Sequence, residues 1–242
     1  MSAWGRGSAP ICLWDTVMAK ALVILQKAVL VLKDPEYVRW QKEELLDWIS
    51  EAQVAIARTP GAYSVTKVIP LVEGTRQTLP EDSWSLVTVS RNFEDDMETP
   101  LYPIRLVTRS LLDLSVPDWH MRPGRPIVEN YVYDERYPNV FFVFPPNDGT
   151  GHVEVVYQGI PGPVTDEEQE LSLDDSFVPA ILSYVLYRAI SKDSDYAPGV
   201  QSAAAYFSAY NSELTNAIQA RGMTTPNASL APAPVAETGG TE

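Results

Sequence analysis

The residues whose side chains could perform chemistry are few in this sequence, and they are widely spaced. The two histidines, His120 and His152, lie 32 residues apart, and no partner stands between them at a metal-ligand spacing. Because Cys12 is the only cysteine, neither an intrachain disulfide nor a thiolate zinc cluster can form, and no histidine lies near it in sequence. We therefore expect surface or hydrogen-bonding histidines and a thiol that takes no part in catalysis.

Motifs for phosphate binding, acyl transfer and calcium binding are also missing from the sequence. Gly74, Gly159 and Gly162 are isolated, and none is followed by the Lys-Ser/Thr pair of a phosphate-binding loop. No Gly-x-Ser-x-Gly nucleophile elbow occurs. The acidic clusters at 94–98 and 166–175 lack the alternating oxygen ligands and central glycine of a calcium loop, which favours solvated surfaces. The sequence thus predicts no enzyme, no bound metal and no cofactor.

Charge and composition limit the remaining classes of function. In a chain of 242 residues, a hydrophobic share of 45% is enough for a sizeable core. With 18 basic and 32 acidic residues the net charge is −14, so the protein is a poor candidate for gripping phosphate backbones, although DNA could pass beside it without adhering. No secretion signal is recognisable, and the most apolar run, 21–32, is too short to span a bilayer. We expect a soluble, intracellularly made protein that binds no membrane.

Helical periodicity marks both ends of the chain. Near the N-terminus, Asp15 is suited to cap a helix that begins at Thr16, and a second helical pattern covers 41–58. Near the C-terminus, two apolar stripes within 176–220 are joined by a short loop with proline and glycine, which is typical of an antiparallel helical hairpin. Neither pair of helices can bury its stripes alone, so each needs the other.

Packing the two pairs together predicts a four-helix bundle formed by both chain ends, 15–60 and 172–221. The segment between them, 61–171, holds about five to seven short strand-like runs, which indicates an inserted antiparallel β-sandwich-like domain. An extended N-terminal arm (1–14) and an extended C-terminal tail (222–242) complete the predicted organisation. The predicted fold class is therefore α+β.

Five segments, occurring in order between about Lys33 and Asn216, resemble one family. They are similar to segments of the head-to-tail adaptor proteins of short-tailed bacteriophages, a connector family that includes proteins like tail tubular protein A. The matching segments are Glu44–Gln53, Gly74–Pro80, Pro117–His120, Tyr131–Arg136 and Tyr184–Asp193. No single segment carries a mechanism, so the specificity of the resemblance lies in their order along most of the chain.

The resemblance implies a structural protein of the virion, located at the head–tail interface and in the host cytoplasm during assembly. It implies a ring-shaped homo-oligomer, with a dodecamer expected, between the portal protein and the tail nozzle protein. The helices would meet the portal and the β portion would face the tail. DNA would pass through the channel during ejection without sequence-specific binding, which agrees with the negative charge.

The predicted contacts with neighbouring subunits or partners come from three parts of the chain. The terminal segments, the arginine-rich connection and the polar face of the C-terminal helices contribute Trp4, Trp14, Arg105, Arg109, Trp119, Arg122, Arg125, Tyr187, Arg188, Lys192, Tyr206, Leu230 and Val235. We interpret the four arginines as salt-bridge donors, within the chain or across a subunit interface. For Trp119, packing inside the fold is favoured over contact with a partner.

Two further hypotheses make different demands on the structure. A ligand- or carbohydrate-binding β-sandwich module of a tail or virion protein requires that Trp84, Trp119, Tyr131 and Tyr133 line an exposed groove. A hydrolase or metal enzyme requires that His120, His152 and acidic residues converge within hydrogen-bond reach. We rank the adaptor first and the enzyme last.

Overall fold

The computed structural model describes residues 18–192 and 197–223, and these contain five α-helices. A short 3-10 helix, Asp175–Phe177, leads into the fourth α-helix, and another, Trp119–Met121, follows the third. The α-helices are α1 Ala21–Leu32, α2 Lys42–Ala57, α3 Arg109–Ser115, α4 Val178–Lys192 and α5 Ala197–Met223.

Eight strands form two four-stranded sheets in the described part of the chain. The strands are β1 Val65–Pro70, β2 Gly74–Thr78, β3 Ser83–Phe93, β4 Pro100–Pro103, β5 Arg105–Leu106, β6 Asn130–Tyr133, β7 Val140–Asn147 and β8 His152–Gly159. The first sheet has the order β1-β8-β3-β4 and is antiparallel throughout. The second has the order β2-β7-β6-β5, and its β5–β6 pair is parallel. Alternating side chains from both sheets share one buried cluster, because one face of each strand points inwards.

The main helical core forms around α4, which contacts α1, α2 and α5. The stripe of α2, made by Leu45, Ile49, Ala52 and Ile56 at helical spacing, is fully buried. It packs into the same cluster as Ile181 and other residues of α4. Helical periodicity therefore identified the buried side of α2 correctly.

The predicted four-helix bundle with an antiparallel insertion is wrong. The chain has five helices in its described part, and α5 packs chiefly on α4 and on the 3-10 helix before it, instead of closing a core shared equally with α1 and α2. The reason is that α5 has a narrow apolar side: Ala203, Tyr210 and Ala217 are buried, whereas Phe207, which helical spacing would put on the same apolar stripe as Ala203 and Tyr210, is 44% exposed. The parallel β5–β6 pair also makes one sheet mixed, so the sandwich is not purely antiparallel.

The first helix begins at Ala21, five residues later than predicted from Thr16. The residues before it pair with the segment that returns to α4, because the backbone N–H of Leu171 donates to the Ala19 carbonyl oxygen at 2.9 Å. The Ala19 N–H in turn donates to a carboxylate oxygen of Asp175 at 2.7 Å. These long-range hydrogen bonds compete with a helical start, and a cap at Asp15 lies outside the described residues.

The proposed boundaries between domains stay a prediction. Two of the buried clusters do lie in different parts of the fold: one is made by α1, α2, α4, α5 and their connections, and the other by the two sheets. The arm at 1–14 lies outside the described residues, as does the tail from 224 onwards. Residues 222 and 223, assigned to the tail, end α5.

Asn92 joins the first sheet to the segment that enters the second. Its side chain is 1% exposed, and its amide nitrogen donates to the carbonyl oxygens of Val128 at 2.8 Å and Tyr102 at 3.0 Å. Its amide oxygen accepts from the Val128 N–H at 2.8 Å. All the hydrogen-bonding groups of a buried amide are thus used to hold one connection in place.

We expect Asn92→Ala to lower the free energy of unfolding by about 2–4 kcal/mol, because it leaves the buried N–H and carbonyl groups of Val128 without partners. Equilibrium urea unfolding measures the change. Asn139→Ala, at an exposed position, is the matched control and should stay within about 0.5 kcal/mol of the unmodified protein. Equal effects of the two substitutions would contradict the role given to Asn92.

Candidate functional site

His120 belongs to an aromatic cluster. Its ring stacks on the indole of Trp119 with centroids 3.6 Å apart, and its Nδ1 lies 2.8 Å from the hydroxyl of Thr75. Partial burial and the neighbouring Arg109 guanidinium lower the pKa of His120 below its ordinary value. The imidazole is therefore neutral near pH 7 and suited to packing.

His152 lies elsewhere, at the start of β8, and its Nδ1 is 3.8 Å from a carboxylate oxygen of Asp95. The two histidines thus have different neighbours. Across residues 18–192 and 197–223, no group of three or more histidine, cysteine, aspartate or glutamate side chains is placed to hold a metal ion. The convergence that a hydrolase or metal enzyme requires is not found in the described part of the chain.

The aromatic residues named for carbohydrate binding do not form an exposed groove. Trp119 and Tyr131 are buried in the fold, and the Tyr133 hydroxyl accepts from the Leu86 N–H and donates to the Pro138 carbonyl oxygen. Trp84 is exposed, but its neighbour is the guanidinium of Arg58, 5.0 Å from the ring centroid. The condition set for a carbohydrate module is therefore not met by these side chains.

Exposed apolar and basic side chains are concentrated in the stretch 101–126, which contains α3. We call this set the apolar–basic patch: it consists of the exposed apolar residues Leu106, Leu111, Leu114 and Met121 together with Arg105, Arg109, Arg122 and Arg125. Leu114 and Met121 are 82% and 83% exposed. Residues 101–126 contain four arginines and two aspartates, so this stretch has a net charge of +2 in a chain whose total is −14.

A small separate core holds the apolar–basic patch on the second sheet. Leu112 of α3, Trp119 and Val132 are buried together. The Trp119 indole N–H donates to the Asp113 carboxylate at 2.8 Å, and its ring meets Phe142 edge-on at 6.3 Å. Trp119 therefore lies inside the subunit and positions the patch, as the packing interpretation predicts.

The four arginines have different surroundings. Arg122 forms an ion pair with Asp118 at 3.3 Å, and the Arg109 guanidinium lies 4.4 Å from the ring centroid of Phe142. Arg105 and Arg125 are exposed, and among the described residues no carboxylate lies within 4.0 Å of either guanidinium. Two of the four side chains thus remain available for a partner.

The residues predicted on the polar face of α4 contact α2 and α5 inside the subunit. Arg188 lies 3.0 Å from the Glu51 carboxylate, and Lys192 lies 2.7 Å from that of Glu44. Tyr187 packs against Phe207 of α5 with centroids 5.0 Å apart. These contacts hold α4 between α2 and α5.

Tyr206 of α5 is half-buried against the helical core, so only part of its surface is open to solvent. The other predicted contact residues, Trp4, Trp14, Leu230 and Val235, lie outside the described residues.

A groove runs between α2, α4 and the segment that follows β8. Its volume is about 520 Å³, and its lining includes Val54, Arg58, Pro161, Pro163 and Tyr184. Burial, followed by the nearby Glu51 carboxylate, raises the pKa of Tyr184, so its hydroxyl is protonated at neutral pH. We call this the α2–α4 groove.

Sequence reasoning missed the exposed leucines and the groove. A seven-residue helix with Leu111, Leu112 and Leu114 cannot bury all three side chains against one sheet, and that crowding was the available signal for the patch. The groove has no such signal, because its walls are more than 100 residues apart in sequence.

No described helix is long and apolar enough to cross a membrane.

Comparison with known proteins places the chain in a family. No curated protein matches the chain. The family described as SU10 adaptor protein matches residues 19–233, a range that covers most of the sequence and continues ten residues beyond α5. The resemblance to phage adaptors is thereby confirmed, and the chain belongs to the SU10 adaptor protein family, a family of structural proteins of bacteriophage particles.

Proposed function

We propose that this phage structural protein forms a homo-oligomeric ring, a dodecamer, that joins the portal protein to the tail nozzle protein. The observation that carries the proposal is the apolar–basic patch on an otherwise acidic subunit. Clusters of exposed apolar side chains mark interaction sites, since such surface is costly to leave in water. Family membership supports association with other virion proteins.

A closed ring requires that each subunit present two different surfaces, one to each neighbour. The apolar–basic patch supports this arrangement, because its uncompensated arginines and exposed leucines complement an acidic, partly apolar surface. The remaining residues of the chain supply abundant acidic surface. The same acidic character suits a channel wall along which DNA moves without adhering.

We expect the purified protein to join a ring when mixed with the portal protein of the same phage. Native mass spectrometry of the protein alone and of the mixture measures the number of copies. A protein that stays monomeric under both conditions would contradict the proposed function.

The double substitution Leu114→Ser and Met121→Ser should reduce the fraction of protein found in portal-bound rings by about tenfold or more, because the patch would lose most of its exposed apolar surface. Size-exclusion chromatography with light scattering measures that fraction. Since both side chains are solvent-exposed, the thermal unfolding midpoint should change little.

The matched control for this prediction is Val38→Ser with Val72→Ser. These side chains are 83% and 61% exposed but lie outside the patch, and the variant should assemble like the unmodified protein. Full assembly of the Leu114/Met121 variant would contradict the proposed role of the patch. The formation of the ring would still be tested separately, by native mass spectrometry.

A further inference from the structure

We propose that the acidic tip of the β3–β4 hairpin, residues 94–98, docks in a cleft between β4 and β5 of a second copy of this chain. The inference rests on the proposed function, because it names a contact that one subunit of the ring makes with the next. It is carried by two features of the subunit that are each held by hydrogen bonds, have opposite charge and lie at opposite ends of β4.

The cleft lies where the chain leaves the first sheet through β4 and enters the second through β5. Its volume is about 450 Å³, and its lining includes Tyr102, Pro103, Arg105, Ile127 and Glu129. Tyr102 is 69% exposed, so much of its aromatic ring is open to a partner. We call this the β4–β5 cleft.

Hydrogen bonds fix both walls of the β4–β5 cleft. The buried Asn92 amide donates to the Tyr102 carbonyl oxygen in one wall and to the Val128 carbonyl oxygen in the other, at 3.0 and 2.8 Å. The Arg105 N–H also donates to the Glu129 carbonyl oxygen at 3.2 Å. The cleft is therefore formed in the single subunit, and a partner can bind without rearranging its walls.

Two arginines place positive charge at the β4–β5 cleft. Arg105 lines it, and Arg91 lies directly opposite Pro103 in the β3–β4 pair, which puts these two side chains on one face of the sheet. Both arginines are exposed, and within residues 18–192 and 197–223 no carboxylate lies within 4.0 Å of either guanidinium. Because Glu129 also lines the cleft, a docked carboxylate is expected beside the arginines and away from Glu129.

The acidic tip supplies the complementary charge. Four of its five residues are acidic, and the fifth, Met97, is 42% exposed. Glu94 and Glu98 are exposed, and no basic side chain of the described residues lies within 4.0 Å of their carboxylates. The tip thus offers two carboxylates that are open to a partner, with an exposed apolar side chain between them in sequence.

The acidic tip is also held in one conformation. The Asp96 carboxylate accepts from the N–H groups of Glu98 and Thr99, each at 2.9 Å. The Glu94 N–H donates to the Thr99 carbonyl oxygen at 3.0 Å, which closes the loop. Little conformational freedom is therefore lost when the tip binds.

The side chains of the tip and the cleft match in chemistry. A carboxylate beside a guanidinium forms a strong, charge-assisted hydrogen bond. Met97 can pack on the Tyr102 ring, since thioether sulfur and aromatic rings attract each other, and Ile127 adds apolar surface. Local attraction of this kind is needed here, because copies with a net charge of −14 otherwise repel one another.

Strand β4 keeps the tip away from the cleft of its own subunit. Glu98 and Pro103 are five positions apart in sequence, which corresponds to roughly 17 Å in a strand. The pairing of β4 with β3 keeps this hairpin extended. A tip that docks must therefore use the cleft of another copy, and a contact between two different surfaces of identical subunits is the kind that closes into a ring.

Charge reversal in the full-length chain tests the proposal. Glu94→Lys with Glu98→Lys reverses the tip, and Arg91→Glu with Arg105→Glu reverses the cleft. Each variant alone should place about tenfold less protein in portal-bound rings than the unmodified protein, as measured by native mass spectrometry, and an equal mixture of the two should recover to within about twofold. The mixture assembles because a reversed tip fits a reversed cleft, while the unchanged tip of one variant fits the unchanged cleft of the other.

The matched control is Glu73→Lys with Glu81→Lys. It changes the net charge by the same amount as the tip variant, at two exposed positions outside the tip, and should assemble like the unmodified protein. Thermal unfolding of each variant checks that the fold is retained.

Disulfide formation between copies tests the contact without requiring a ring. In a Cys12→Ser background, chains with Met97→Cys are mixed with chains that carry either Tyr102→Cys or Tyr137→Cys, at positions that are 69% and 65% exposed. Docking raises the local concentration of one thiol at the other, so the mixed disulfide with Tyr102→Cys should form about tenfold faster than that with Tyr137→Cys.

Four outcomes would overturn the proposal. Each reversed variant would form rings alone, or the mixture of two folded variants would fail to recover, or Met97→Cys would react equally fast with both partners. In the fourth, the cleft variant would form rings normally but lose binding to the tail nozzle protein, which would assign the cleft to that protein. If the unmodified protein formed no ring, the proposed function would fail, and the disulfide rates would still decide whether the tip docks in the cleft.

Discussion

The packing of α4 against α2 is the interaction on which the rest of the subunit depends. Ile181 and Val185 of α4 are fully buried in the same cluster as Ile49 of α2, and each such side chain contributes about 1.5–3 kcal/mol relative to an exposed one. The partly exposed pairs at the rim, Arg188 with Glu51 and Lys192 with Glu44, add little energy. Their effect is to fix how the two helices are aligned, and thereby the shape of the groove between them.

Two buried cores position the two surfaces of the molecule by different means. The helical core positions α2 and α4 on either side of the groove. Its remaining wall is fixed by two hydrogen bonds to backbone groups: the Ser50 hydroxyl accepts from the Val164 N–H, and the Gln158 amide donates to the Ala57 carbonyl oxygen. The smaller core around Trp119 sets the apolar–basic patch, because it leaves Leu112 inside and the other leucines of α3 in solvent. The composition of each surface thus follows from which side chains the neighbouring core buries and which it leaves in solvent.

Local sequence patterns correctly predicted those elements whose buried residues recur at a regular spacing along the element. The stripe of α2 is such a case, and the helix lies within one residue of the predicted range at each end. The start of α1 was wrong because Ala19 and Lys20 pair with residues about 150 positions away, at 170 and 171. The parallel partner of β5 and the isolation of α5 on one side of α4 are likewise set by distant residues, which periodicity does not encode. The sequence placed Trp119 correctly in the interior. It could not show which leucines of α3 stay exposed, because that also depends on contacts with distant residues.

The charge of the subunit explains why the apolar–basic patch is significant. Copies with a net charge of −14 repel one another, which keeps the free subunit soluble but opposes assembly. Any association must then draw its free energy from apolar burial and from local pairs of opposite charge, since long-range attraction between like-charged subunits is lacking. The stretch 101–126 combines both, because it has exposed leucine and methionine side chains and two arginines, Arg105 and Arg125, with no carboxylate within 4.0 Å in the described part of the chain. A surface of this kind would bind an acidic neighbour strongly at close range and release solvent on doing so, while the acidic remainder of the subunit disfavours contacts in other orientations.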